Sequence, residues 1–215
     1  GLQNQLAKLM VGPLLLVFSR EDDPILLREL ANLLHQLNTI LLQFGEYPAA
    51  SQILLHLHRR HQQLAEARKE QAQLLGKILL RPLEPKPQQL ILEDFRSGEP
   101  ARRQQAAQLL GSTRQAALPL LIKLIKSEEN FRVRQMAASL LAEFGPQAAK
   151  LLKRQLALQT TSEEKIRILG VIDSVTRDFR TELAYALADQ SDQVRQAALQ
   201  LAERVKDDQV GKLIL

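Results

Sequence analysis

The sequence predicts an all-α protein assembled from repeated two-helix units, and three observations lead there. The apolar content, 45% of 215 residues, is mostly Leu and Ala, with 4% aromatic residues and no Trp. Leu, Ala, Gln, Arg, Glu and Lys favour helix, whereas the β-branched and aromatic residues that favour strands are scarce. The stretch "RQMAASLL" from Arg134 has near-copies in "RQQAAQLL" from Arg103 and "RQAALQLA" from Arg195. These copies keep a period: the first interval is 31 residues and the second is 61, close to twice that. A further copy is therefore expected near position 165, where Lys165 opens "KIRILGVIDSV".

The first element is "LMVGPLLLVF", Leu9 to Phe18, flanked by Lys8 and Arg20. Ten residues fall short of the roughly 20 that span a bilayer. A signal peptide would need a small-residue cleavage site, but "SREDDP" follows. The stretch reads as a buried helix. The next element, "PILLRELANLLHQLNTILLQFG", starts at Pro24 after three acidic residues and ends at Gly45, so both helix ends are marked. "EYPAASQILLHLHRRHQQL" follows as its partner helix. Within this pair, "FGEYPAASQIL" resembles the turn and second helix of a tetratricopeptide unit (residues 44–57), a single half-repeat that implies a hairpin and nothing about peptide binding.

From Ala65, "AEARKEQAQLLGKILL" fits the first-helix pattern with Arg68 as marker. The three prolines of "RPLEPKPQQ" then end that helix and stiffen the connection to "QQLILEDF". In the regular units, positions three and four past each marker hold Ala106-Ala107, Ala137-Ala138, Ile168-Leu169 and Ala198-Leu199. Six and seven past it lie Leu109-Leu110, Leu140-Leu141, Val171-Ile172 and Leu201-Ala202. These offsets trace one face of an α-helix. Eighteen past each marker stand Leu121, Leu152, Leu183 and Leu213, so a second helix repeats as well. Gly111-Ser112, Gly145-Pro146 and Asp207-Asp208 supply the turns, and "SGEP", "SEEN", "QTTSEE" and "DQSD" separate the units.

Four features, the "[VI]-R-x-x-A" start, the Leu pairs, the Gly at the turn and the "AALPLL" or "AAKLL" opening of the second helix, resemble HEAT-like repeats of the short, bilin-lyase type. The resemblance covers about residues 88–215 and departs from the pattern at Lys165 and Thr176. It implies a right-handed α-solenoid of HEAT-like hairpins, with residues 1–62 as an N-terminal helical bundle or cap. Residues 63–215 would form four to five units, the last truncated. Two helices cannot bury a core alone, so each unit hides its apolar faces against its neighbours. At roughly 25 cal/mol per Å2, each interior Leu is worth about 1.5–3 kcal/mol. The chain starts at Gly1 and stops in "GKLIL", and it reads as a piece of a longer protein.

Candidate chemistry is sparse. The absence of Cys excludes thiol catalysis, thiolate metal sites and disulfides; it is compatible with a reducing compartment without requiring one, and the expected location is the cytoplasm. "HLHRRH" places His58 and His61 on one helical face, but His56 points elsewhere and Arg59 and Arg60 would oppose a cation, so no metal is expected. No "HE" pair occurs, so resemblance to the metal-binding HEAT hydroxylases fails. Asp173 sits in an otherwise apolar helix, yet the matching position holds Glu203 in another copy, which marks it as peripheral. No nucleophile–base constellation, glycine-rich phosphate loop or paired-carboxylate motif is found, so neither catalytic residues nor a cofactor are expected.

One pattern suggests binding. Twenty positions past the markers lie Lys123, Arg154 and Tyr185, with Lys126, Lys150 and Lys153 nearby. Solenoids of the resembled class line their concave face with second helices, which would make these six residues a stripe with rungs about 10 Å apart. The leading expectation is a non-catalytic interaction scaffold for a protein or peptide, acidic where it meets the stripe, with neither membrane nor small molecule as partner. Two alternatives stay open. The net charge of +5 suits nucleic acid, and HEAT-type DNA glycosylases share the architecture, although they rely on aromatic residues and a catalytic carboxylate. An auxiliary subunit of a lyase-type enzyme is the other.

Overall fold

The computed structural model describes residues 2–158 and 161–205, and it is helical throughout, with no strand among the described residues. The chain divides into two compact units, residues 1–117 and 118–215.

In the first unit, α1 (Leu2–Arg20), α2 (Pro24–Gln43) and α3 (Tyr47–Ala67) pack on one another, and α4 (Lys69–Leu79) packs on both α2 and α3. The start of α2 is fixed by Asp23, whose carboxylate accepts from the amides of Ile25 and Leu26, both at 2.9 Å, ahead of Pro24. Its end is set by Gly45, whose φ of 71° lets the chain reverse into α3. Burial then follows the helical period: Leu27, Ala31, Leu34, Leu37 and Leu41 on α2 face Tyr47, Ala50, Ile53, Leu54 and Leu57 on α3. The Tyr47 hydroxyl donates to Asp94 at 2.6 Å, tying α3 to α5 (Pro85–Arg96). Desolvation and that carboxylate push the phenol far above its usual range. Helix α5 opens within the proline run, with Pro85 in the first turn, where a missing N–H costs nothing.

Helix α1 is only half buried, which corrects the expectation of a buried helix. Ala7, Val11, Leu15 and Phe18 face the bundle, while the opposite side stays open. The α1–α2 link is clamped at Asp22: Arg60 and Arg68 ion-pair with its carboxylate at 2.8 and 2.9 Å, and Gln71 donates to its carbonyl at 3.2 Å. Hydrogen bonds from the two guanidinium groups hold that carboxyl below the ordinary range.

Helix α6 (Pro100–Thr113) runs past the expected Gly111-Ser112 turn. Ser112 and Thr113 return their hydroxyls to the carbonyls of Gln108 and Leu109, both at 2.8 Å, and Thr113 is buried one turn beyond Leu109. The reversal falls instead at Arg114, whose φ of 52° is uncommon for a residue with a side chain, followed by a 3-10 turn (Arg114–Ala117).

In the second unit, α7 (Leu118–Ser127), α9 (Pro146–Ala157) and α12 (Arg180–Leu187) are the second helices of successive repeats. The first helices are α8 (Phe131–Glu143), the broken pair α10 (Ser162–Leu169) and α11 (Ile172–Val175), and α13 (Asp192–Val205). Helix α9 packs on α8, α10, α11 and α12, which is the neighbour-to-neighbour pattern of stacked rungs. The positions three and seven past Arg103, Arg134, Lys165 and Arg195 are all buried, and Leu121, Leu152 and Leu183 are all essentially inaccessible. Leu213 and the Asp207-Asp208 turn lie outside the described residues.

The marker arginine has a structural task. Arg134 donates to the carbonyls of Glu128 and Glu129 at 2.9 and 2.7 Å, and Arg195 donates to those of Asp189 and Gln190 at 2.8 and 3.1 Å. Arg103 reaches Ser97 O at 3.4 Å in the same way. Each guanidinium thus satisfies carbonyls in the link six residues upstream, where a helix has ended and backbone acceptors are unpaired. Lys165 does something else: its ammonium reaches forward to Asp189 at 2.7 Å. That unit also differs in its helix, which breaks at Gly170 and Val171 although the sequence reads as continuous. An interior Gly costs about 1 kcal/mol, and the freed carbonyls of Leu169 and Gly170 receive Arg204, each at 3.4 Å. Arg204 also pairs with Asp173 at 2.8 Å, so Asp173 is a half-buried ion-pair partner.

Candidate functional site

The second-helix face of the second unit brings most of the stripe residues onto neighbouring rungs, in two electrostatic states. Lys123 on α7, with Lys150 and Arg154 on α9, is exposed and makes no ion pair among the described residues. Tyr185 on α12 is 75% exposed. Lys126 and Lys153 are half-buried and already engaged. Lys126 donates to Gln155 at 3.3 Å and pairs with Glu164 at 3.3 Å. Lys153 pairs with Asp178 and Glu182 at 3.0 and 3.4 Å. Burial works against its charge, but the two carboxylates outweigh it and hold the ammonium above the usual lysine range.

These paired lysines act as ties between rungs. Lys126 joins α7 to α9 and α10, and Lys153 joins α9 to α12. Arg167 adds a third tie by donating to Lys126 O at 2.8 Å while pairing with Glu163. What the rungs leave available is narrower than the six-residue stripe: three cations and an aromatic ring.

Beside Tyr185 lies a hollow of about 540 Å3, lined by Lys153, Leu156 and Ala157 of α9, Lys165 of α10, Glu182 and Ala186 of α12, and Val194 of α13. A shallower one of about 840 Å3 adjoins it along α9, sharing Lys153, Ala157 and Glu182 and running past Pro146, Lys150, Arg154, Val175 and Asp178. Sequence reasoning missed the walls of the first hollow, above all the Lys165–Asp189 pair. The signal was present: a lysine stands where the other copies have arginine, and its single ammonium pairs with Asp189 of the next link.

Residues 88–172 match the family model described as HEAT repeats. This stretch is HEAT-repeat structure. The comparison with curated proteins and the comparison with solved structures each yield no match. The HEAT match covers α6 to α10 and part of α5, including the marker arginines Arg103 and Arg134 and the residues Lys123, Lys150 and Arg154. The described residues are all-helical, in keeping with HEAT-type repeats over the matched stretch. HEAT repeats generally mediate protein interactions and are typically non-catalytic.

The histidines do not converge on a site. His56 Nδ1 donates to Gln52 O at 2.9 Å, and no group of three or more metal-ligating side chains is found among the described residues. Burial and the Arg114 charge depress the His58 imidazole to about 4. No helix among the described residues is long and apolar enough to cross a membrane.

Proposed function

We propose that the chain is a non-catalytic interaction module whose second-helix face binds an acidic, extended segment of a partner protein. Residues 1–62 would act as a cap and residues 63–215 as the array. The observation that carries this reading is that Lys123, Lys150 and Arg154 stand exposed without a counter-ion among the described residues, while their neighbours Lys126 and Lys153 are neutralised. Tyr185 supplies a flat, rigid surface of the kind enriched at interfaces, and the adjoining hollow has room for an apolar side chain. A pre-ordered helical face loses little conformational freedom on binding.

The test is fluorescence anisotropy with a labelled peptide rich in Glu and Asp and carrying one or two leucines. Exposed charges contribute about 0.2–1 kcal/mol each, so the triple variant Lys123→Glu, Lys150→Glu, Arg154→Glu is expected to weaken binding by roughly tenfold or more. Unchanged affinity would overturn the assignment of this face. Tighter capture of a single-stranded oligonucleotide of equal length, falling steeply with salt, would replace the protein partner with nucleic acid.

A further inference from the structure

Helix α1 is apolar on two sides, and the bundle covers one of them. On the other, Leu2, Leu6, Leu9, Pro13 and Leu16 recur at alternating steps of four and three, the spacing of a coiled-coil seam. Leu2 is 84% exposed, Leu6 57%, Leu9 74% and Leu16 55%, and Met10 and Val17 widen the patch. A helix that is apolar all round is ordinarily covered all round.

We propose that this seam pairs with the same seam of a second copy of the chain, antiparallel about Leu9, to form a twofold homodimer. Three observations favour a second copy over other occupants. The first is area. The six apolar residues expose the equivalent of about three and a half whole residues, on the order of 600 Å2 per copy, so that two copies together reach the lower edge of the roughly 1,200–2,000 Å2 of stable interfaces.

The second is charge. Lys8 is the single ionisable side chain between residues 2 and 19, and it lies off the seam, paired with Glu46 at 2.7 Å. A charged partner finds nothing to meet there, whereas a neutral seam meets its own copy without repulsion. The third is spacing. With Leu9 on the axis, Leu2 of one copy falls opposite Leu16 of the other, and Leu6 falls opposite Gly12-Pro13. A Cβ placed on Gly12 would meet nothing within 4 Å, so the surface there is open to a close approach. Such a face is isologous, as closed twofold assembly requires.

Sedimentation velocity on the whole chain across a wide concentration range tests this. The wild type is expected to dimerise, and Leu9→Glu, which sets two carboxylates face to face on the axis, is expected to raise the dissociation constant by about a hundredfold or more. Far-UV circular dichroism should be unchanged, because Leu9 makes little contact within its own bundle. The chain has no native cysteine, so Leu9→Cys gives an independent readout that leaves the fold intact. Mild oxidation should convert it to a covalent dimer, whereas Lys77→Cys on the exposed side of α4 should stay monomeric under the same conditions. A wild type that stays monomeric throughout, or a dimer indifferent to Leu9→Glu with no cross-link through Leu9→Cys, would overturn the proposal. A monomer that co-sediments with phosphatidylcholine–phosphatidylserine vesicles would overturn it in favour of a lipid surface.

Discussion

Removing the guanidinium of Arg134 tests whether the repeated arginine is a cap for the links between rungs. Its two hydrogen bonds, at 2.9 and 2.7 Å, go to carbonyls that have no helical donor, and the ring of Phe131 lies 5.4 Å from the guanidinium carbon. Bonds to charged donors are worth about 1.5–3 kcal/mol each where water is excluded. Arg134 is half-buried, so water replaces part of that loss, and Arg134→Ala is expected to cost about 1.5–3 kcal/mol in total. Arg134→Lys should recover part of it, because an ammonium can bond one carbonyl but cannot span two with a planar fork. Arg103→Ala, which gives up one bond of 3.4 Å, should cost less than about 1 kcal/mol. Urea unfolding, compared at equal m-values, measures all three. If Arg134→Ala lay within 0.5 kcal/mol of wild type, or Arg103→Ala cost more than Arg134→Ala, the arginine would be a surface residue and the capping argument would fail (about 0.5 kcal/mol is the ordinary surface effect).

Leu152 is inaccessible at the centre of four helix contacts, so Leu152→Ala should lose about 2–5 kcal/mol by urea unfolding; a loss below about 1 kcal/mol would deny the stacking of rungs. Arg114 holds a φ of 52°, and Arg114→Gly should raise stability by about 1 kcal/mol while Arg114→Val lowers it; the reverse order in thermal melts would show that φ carries no strain. His58 is held neutral, with its imidazole depressed to about 4, and its Nε2 is buried without a hydrogen-bond partner among the described residues. Between pH 6.5 and 4 the unfolded chain therefore binds the extra proton, and stability should fall with falling pH by as much as roughly 1.4 kcal/mol per unit. His58→Leu should flatten that slope in urea midpoints measured from pH 7 to 5, and an unchanged slope would assign it to other groups.

The repeated part of the fold was legible because its period is carried by residues that pack against equivalents of themselves. Ala106, Ala137, Ile168 and Ala198 share one offset and one buried environment, and Leu121, Leu152 and Leu183 share another. Two breaks were hidden. Gly170 looks like an ordinary interior residue until Arg204, far along the chain, is seen to receive the carbonyls that the break releases. The α6 helix outlasts Gly111 because the hydroxyls of Ser112 and Thr113 return to their own helix.

The stripe was legible as a set of positions and not as a set of charges. Lys153 loses its availability to Asp178 and Glu182, 25 and 29 residues away (178 − 153 and 182 − 153), and such pairing depends on tertiary approach that no local pattern encodes. The α1 helix misled for the opposite reason: composition announces an apolar helix, but only the packing shows that one side of it is left open.

Hydrogen-exchange mass spectrometry on the full chain, with and without the acidic peptide, addresses the central claim most directly. Added protection concentrated in residues 118–127, 146–157 and 180–187 is the expected result, with the second helices responding together as one face. Protection confined to the first helices α8, α10 and α13, or none at all at saturating peptide, would contradict it.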